Sequence, residues 1–343
     1  MFNKLVPSVK INKDITDAKI DLISFADLRL FMFETDNLYI IGVPEGNRHF
    51  SIQDHYKNVE INGYQKCSID VSSLHTIDEP KFFFYKYLTY LCSLNRQPVL
   101  LDIGAFVGDF SLALANFCRT SNLPFKSICF DPSIVGSLIP FNIEINGLEN
   151  YIRHENLAVS GFNGPVKFNF RIGHLDSASI CDKSNAGYDY LVRSTKISSF
   201  LQKSGFKDET LIVKIDTEGY EAEIIKDLFS ASKLLPTVVF EFSPDNFSAK
   251  GYDPSAFLSE QQKDFFVYDV SHLPWPSRFR PVKPGHEAKF VDQVKKRASG
   301  YADIILMPKD LPNIKIFLDN NESLVFQREG LYNFVGTLLC GHD

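Results

Sequence analysis

Cysteine pairs, long apolar runs, basic clusters and the common nucleophile motifs are all missing from this chain, and each absence removes a class of function. The six cysteines, Cys67, Cys92, Cys118, Cys129, Cys181 and Cys340, include no Cys-x-x-Cys pair. Such scatter supplies neither a zinc ligand set nor a disulfide framework, so a reducing compartment is expected, with Cys118 and Cys129 as small buried hydrophobes. No run of eighteen apolar residues occurs, and Met1-Phe2-Asn3-Lys4 brings charge too early for a secretory leader. A soluble, cytoplasmic protein without a membrane span is the expectation. The one basic tract is Lys295-Lys296-Arg297, and the formal net charge is −6 with a pI near 5.8. Nucleic acid is therefore not expected as a partner, and the tract reads as a solvated face or loop. Neither a Gly-x-Ser-x-Gly elbow, a P-loop, a His-Glu-x-x-His pair nor a kinase signature is found.

What is present reads as a globular α/β chain. Hydrophobic residues make up 44% and charged residues 23% of 343 positions, enough for one large domain with additions at its ends. The thirty-one phenylalanines read mainly as core. Short apolar pieces such as Leu38-Tyr39-Ile40-Ile41 alternate with turn formers before residue 75, and Glu79-Pro80 opens an apolar helix running to Leu94. An alternation follows, with strands at 99–103, 127–130, 151–159, 211–215, 237–242, 265–270 and 303–307, and helices at 109–118, 134–145, 220–229 and 254–262. The stretch 165–200 breaks it with a half-exposed strand, Val166–Phe170, followed by polar loops. The expectation is a mainly parallel seven-stranded sheet with helices on both faces, divided as an N-terminal segment 1–95, a domain 96–309 and an extension 310–343.

Ligands of such a sheet sit beyond the carboxyl ends of its strands. Asp102-Ile103-Gly104-Ala105-Phe106-Val107-Gly108-Asp109 reads as a strand end, a glycine turn and a helix start. A dinucleotide turn wants Gly-x-Gly-x-x-Gly, but position 106 is Phe, and Asp102 puts negative charge where a pyrophosphate would sit. A cofactor with a cationic centre and a free amine, such as S-adenosylmethionine, suits the turn better. Asp131, at the next strand end, can accept both hydroxyls of a ribose, a role that an NAD site would share. The segment Lys214-Ile215-Asp216-Thr217-Glu218-Gly219-Tyr220-Glu221 sets Asp216 and Glu218 at a strand tip, where they could position an amine, act as general base or bind a divalent cation. Glu221 reads as a first-turn acid facing the helix dipole and Lys214 as a partner for a nearby acid. Glu241 ends the following strand. His174 and His272 lie in loops and are not needed for this chemistry.

Taken together, these residues resemble the FkbM family of S-adenosylmethionine-dependent methyltransferases over about 97–245, with a weaker tail to 309. The likeness is carried by Leu101 to Ser111, by Phe130-Asp131-Pro132-Ser133, by Asn142 and Asn146-Gly147-Leu148, by Ala158-Val159-Ser160, by Ser177-Ala178-Ser179-Ile180, and most closely by Val213 to Glu221 with Phe240-Glu241. Asp131 stands where the family more often has Glu, and Lys196-Ile197-Ser198-Ser199-Phe200-Leu201 carries serines where acids are common. The resemblance implies a Rossmann-like class I methyltransferase fold and methyl transfer from S-adenosylmethionine to a hydroxyl of a glycan, sugar or natural-product acceptor. It points to Asp102, Gly104, Ala105, Phe106, Gly108, Asp109, Asp131, Pro132, Asn156 and Ala158 around the cofactor. Asp216, Glu218 and Glu241 then face the substrate, and no metal is assigned. A homo-oligomer is left open. Two other readings stand beside this one, a non-catalytic interaction module on the same fold and an NAD-dependent oxidoreductase.

Overall fold

A computed structural model describes residues 79–321, apart from 172–173, 181–187, 207–209, 233, 272–279 and 298, together with five earlier strands. Those five are an antiparallel sheet of β1 (Asp21–Phe25), β2 (Leu28–Thr35) and β3 (Leu38–Gly42), and a hairpin of β4 (Val59–Ile61) and β5 (Tyr64–Lys66).

Helix α1 (Glu79–Ser93) leads into β6 (Pro98–Ile103), which is buried at every position, as a central parallel strand covered on both faces must be. Then follow α2 (Asp109–Thr120), β7 (Lys126–Phe130), a 3₁₀ turn (Val135–Leu138) running into α3 (Ile139–Ile145), and β8 (Ile152–Glu155). A second sheet is built from β9 (Ala158–Val159), β10 (Gly164–Arg171), β11 (His174–Ile180) and β12 (Tyr188–Thr195). After α4 (Ile197–Ser204) the main alternation resumes with β13 (Thr210–Ile215), α5 (Glu221–Ala231), β14 (Thr237–Phe242), α6 (Pro244–Ala249), α7 (Pro254–Gln261) and β15 (Phe265–Asp269). The short β16 (Arg280–Pro281), α8 (Glu287–Lys295), β17 (Ala302–Pro308) and α9 (Ile314–Asn321) complete it.

The large sheet has eight strands in the order β16-β15-β17-β14-β13-β6-β7-β8, parallel from β14 to β8 and antiparallel around β17. It is a Rossmann-like α/β fold: after β6 the chain walks outward to β7 and β8, then returns to β13 on the other side, leaving a switch point between β6 and β13. The two-residue β16, pairing antiparallel with β15, is the strand missing from the expected seven.

Alternation along the strands sends side chains into two cores. Leu100, Cys129, Ile212, Val239 and Ile305 meet α1, α2 and α9, while Leu101, Ile103, Val213, Ile215, Val238 and Phe240 meet α5, α7 and α8. Phenylalanines fill both, as expected: Phe83, Phe84, Phe240, Phe242 and Phe247 are fully buried, each contributing roughly 1.5–3 kcal/mol by removal from water. The polar tip of buried Tyr87 is satisfied by the Thr237 hydroxyl at 2.6 Å.

Two expectations are corrected here. The stretch expected as polar loops after Val166–Phe170 contains β11 and β12, whose antiparallel pairing to β10 buries Val166, Phe168 and Val192. The alternation in those strands is interrupted by polar residues, which hides it from a periodicity reading. In the basic tract, Arg297 is not solvated: it ion-pairs with buried Asp269 at 2.5 Å and donates to Ser271 at 2.9 Å, tying α8 to the end of β15. Among the described residues no helix is long and apolar enough to cross a membrane.

Candidate active site

The turn after β6 is shaped by what surrounds it. Gly104, Phe106 and Gly108 all have positive φ, at 74°, 52° and 81°. A side chain on Gly104 would set its Cβ 1.7 Å from the Asp216 carbonyl oxygen, so only glycine lets β6 and β13 approach at the switch point. The Gly104 and Ala105 N–H groups donate to the Phe130 carbonyl at 3.0 and 3.2 Å, and Gly108 N–H donates to Ala105 at 2.7 Å. Buried Asn142 on α3 reaches over to donate to the Val107 carbonyl at 2.9 Å. The turn is thus held from β7 on one side and α3 on the other.

Phe106 has a left-handed backbone that costs a non-glycine residue on the order of 1–3 kcal/mol. Its N–H is held by Asp131 Oδ2 at 2.7 Å, while Asp131 Oδ1 accepts from Ser133 N–H at 2.8 Å. Burial pushes the Asp131 carboxyl up, and the hydrogen bonds from Ser133 and Phe106 oppose that shift. Gly136 is required beside it, since a Cβ there would lie 2.5 Å from Asp131 Oδ1. His154 closes the same corner, with Nε2 3.0 Å from the Asp131 carbonyl oxygen. Each carboxylate oxygen keeps a second lone pair for a ligand.

Across the switch point, register explains the charged group. Lys214 on β13 pairs directly with Asp102 on β6, so their side chains share one face. Asp102 is fully buried; its Oδ2 accepts from Ser111 on α2 at 2.6 Å, and its Oδ1 has no hydrogen-bond donor. Lys214 Nζ lies 3.8 Å from Asp102 Oδ1, 3.2 Å from Asp216 Oδ2 and 3.3 Å from the Gly104 carbonyl oxygen. Burial disfavours the Lys214 charge, but Asp216, Asp102 and Asp109 outweigh it and hold the ammonium above the usual lysine range. Burial likewise raises the Asp102 carboxyl, against the pull of Lys214 and Ser111.

Ile215 pairs with Phe240, so Asp216, just past β13, lies beside Glu241, which is still within β14 and pairs with Asp303 of β17. Glu218 joins them from the loop with φ 58°, and carboxylate oxygens of the three lie within 4.8 Å of one another. Glu221 shapes that loop: its Oε1 accepts from Thr217 N–H at 2.9 Å, Thr217 Oγ1 at 2.8 Å and Gly219 N–H at 3.1 Å. It is a folded-back cap as much as a partner for the helix dipole. Burial, then the Asp216 and Glu218 charges, push the Glu241 carboxyl well above its usual range. Such a trio can share a proton, accept one from a bound hydroxyl, or hold a divalent cation.

The remaining sequence candidates are dispersed. Asp109 is the first-turn acid of α2, and half-buried Pro132 follows Asp131. Asn156 is exposed beyond β8, while Ala158 is buried in β9 with Val166 and Phe168. Ser198 and Ser199 do not face the acids. Ser198 donates from its N–H and hydroxyl to the two carboxylate oxygens of Asp227 on α5, both at 2.8 Å, and Ser199 accepts from Asn163 at 3.0 Å. His174 belongs to β11, and His272 lies outside the described residues, as do Cys67, Cys181 and Cys340. What residue-type reasoning missed is the number of contacts Lys214 makes; a lysine inside an apolar strand was the available signal.

Comparison with known proteins adds a family-model match over part of the chain. No curated protein matches the chain. Among solved structures it is similar to the O-methyltransferase TomG from Streptomyces achromogenes, solved with SAM, at 12% identity over 65% of this chain and 78% of that one, with a TM-score of 0.33. An SAH-bound methyltransferase from Podospora anserina is similar at 10% identity, over 65% and 76% of the two chains, with a TM-score of 0.30. The fibrillarin pre-rRNA processing protein of Methanococcus jannaschii is similar at 9% identity, over 84% and 98%, with a TM-score of 0.33. The family model described as the methyltransferase FkbM domain matches residues 138–268, a stretch that contains Asp216, Glu218 and Glu241 and begins after the glycine turn.

Proposed function

We propose that the protein is an S-adenosylmethionine-dependent O-methyltransferase whose acceptor is a hydroxyl of a sugar, glycan or natural product. The observation that carries this reading is the meeting of Asp216, Glu218 and Glu241 within 4.8 Å beside the glycine turn at the switch point of the sheet. The residues fit the cofactor on charge. Even with Glu241 protonated, Asp102, Asp216 and Glu218 outnumber Lys214, so the site complements a sulfonium and an ammonium and repels the diphosphate of a dinucleotide. The family match on 138–268 supports methyl transfer as the chemistry.

When bound, S-adenosylmethionine supplies an electrophilic methyl group; all else falls to the chain. The turn Asp102, Gly104, Ala105, Phe106, Gly108 and Asp109 would hold the cofactor, with Asp131 at its ribose and Pro132, Asn156 and Ala158 as the remaining cofactor-side candidates. Asp216, Glu218 and Glu241 take the acceptor side. In-line attack on a methyl group needs mainly alignment, plus a base for the hydroxyl proton. Glu241 suits that step, because the burial and charge that raise its carboxyl also make its ionised form a stronger base.

Serines at 198 and 199, where acids are common in the FkbM family, are the feature of this sequence that favours a non-catalytic module. Their contacts to Asp227 and Asn163 give them a packing role that leaves the acids of the rim untouched. Calorimetric titration with S-adenosylmethionine and, separately, with NAD tests the cofactor. Labelled cofactor fed to a cell extract with the protein tests the acceptor: label on a glycan or small-molecule hydroxyl supports the proposal. Binding without transfer to any acceptor favours the interaction module, and no binding of S-adenosylmethionine overturns the methyltransferase reading.

A further inference from the structure

We propose that Lys214 is a positioning residue that sets the cofactor turn and the acceptor-side acids as one unit; this rests on the methyltransferase reading above. A lysine in mid-strand is out of pattern for a parallel sheet covered on both faces, where its neighbours are Val213 and Ile215. Its three contacts account for its presence. The first, to the Gly104 carbonyl at 3.3 Å, fixes the peptide that opens the turn. The second, to Asp216 Oδ2 at 3.2 Å, fixes the carboxylate that heads the acidic rim. The third is electrostatic: Asp102 Oδ1 is buried with no hydrogen-bond donor, and the ammonium 3.8 Å away opposes the upward push that burial gives its carboxyl.

Gly104 and Asp216 are also in steric contact, since no Cβ fits between Gly104 and the Asp216 carbonyl. The ammonium therefore sits at the one place where β6 and β13 leave the sheet together. Without it, Asp102 would take up a proton to avoid a bare buried charge, and the Gly104 carbonyl and Asp216 would lose their common anchor. On this proposal Lys214 acts through these three groups and not on the sulfur centre or the acceptor hydroxyl.

The test needs no acceptor. S-adenosylhomocysteine is titrated calorimetrically into the full-length protein, Lys214→Met and Lys214→Arg, between about pH 6 and pH 8, the window in which an unpaired buried carboxyl titrates. The wild-type affinity is expected to be flat across that range. K214M is expected to bind about tenfold more weakly at neutral pH and to acquire a pH dependence as Asp102 titrates, with K214R restoring both towards wild type. Where K214M does not fold, Lys214→Gln serves, since it keeps a donor for the Gly104 carbonyl but no charge for Asp102. A folded, uncharged variant with wild-type affinity and a flat profile overturns the inference. Failure of the wild type to bind S-adenosylhomocysteine would instead sink the methyltransferase reading, so the two failures are distinct.

Discussion

The Phe106 N–H donates to Asp131 Oδ2 at 2.7 Å, which makes the carboxylate assigned to the ribose a structural part of the glycine turn. Asp131 also holds Ser133 N–H through its other oxygen. Asp131→Asn cannot serve both, because its amide nitrogen would face a donor. The variant is expected to lose about 1–3 kcal/mol of stability and S-adenosylmethionine affinity together. Thermal denaturation with and without cofactor checks this; a variant that loses only affinity would confine Asp131 to the ribose.

Gly104→Ala should be among the most damaging single changes in the chain. Its Cβ would sit 1.7 Å from the Asp216 carbonyl oxygen, and a backbone φ of 74° is strained for alanine as well. Parting β6 from β13 is expected to cost about 1–3 kcal/mol and to abolish cofactor binding. Gly147→Ala is the control: it also has positive φ, at 62°, but its nearest neighbour is an Arg119 nitrogen 3.9 Å away. It should lose stability without losing affinity in calorimetry.

Most of this architecture is legible in the sequence, for identifiable reasons. Buried strands such as Pro98–Ile103 and Thr237–Phe242 announce themselves as apolar runs with an acid one residue before the end. The acids at those ends mark the rim because unpaired charge is costly inside a sheet. Register is not legible: nothing in the order of residues says that Asp216 and Glu241 lie side by side, or that Lys214 lies against Asp102. The second sheet was hidden for a different reason. His174–Ile180 and Tyr188–Thr195 are polar enough to pass for loops, and their pairing to β10 makes them strands.

Ser198 offers a test of a family departure. Its N–H and hydroxyl both meet the Asp227 carboxylate, locking α4 onto α5 at 2.8 Å twice over. Ser198→Ala should cost about 1 kcal/mol, the worth of one hydrogen bond to a charged group or cap. Ser198→Asp, which brings in an acid of the kind common in the family, sets like charges together and should cost more, the excess shrinking as salt is added. Both variants should keep cofactor affinity. A loss of binding in S198A would place this segment at the site after all.

Glu241 carries the sharpest pH prediction. Burial and the neighbouring Asp216 and Glu218 raise its carboxyl well above the ordinary glutamate value of 4.5, so the fold favours the protonated form. Between 4.5 and the raised value the folded state binds more protons than the unfolded one. Stability therefore falls as pH rises through that window and levels off above it. Activity should run the other way, since the ionised carboxylate is the form that takes a hydroxyl proton. Glu241→Gln, uncharged and of the same shape, is expected to melt higher than wild type at neutral pH, with the difference vanishing on acidification to about pH 4. Its methyl transfer should fall by about 10²–10⁴ and lose the acidic limb of the pH–rate profile, while S-adenosylhomocysteine affinity changes little. Equal melting temperatures at neutral pH would mean that Glu241 is not held against its charge, and a retained acidic limb would move the base to Asp216 or Glu218.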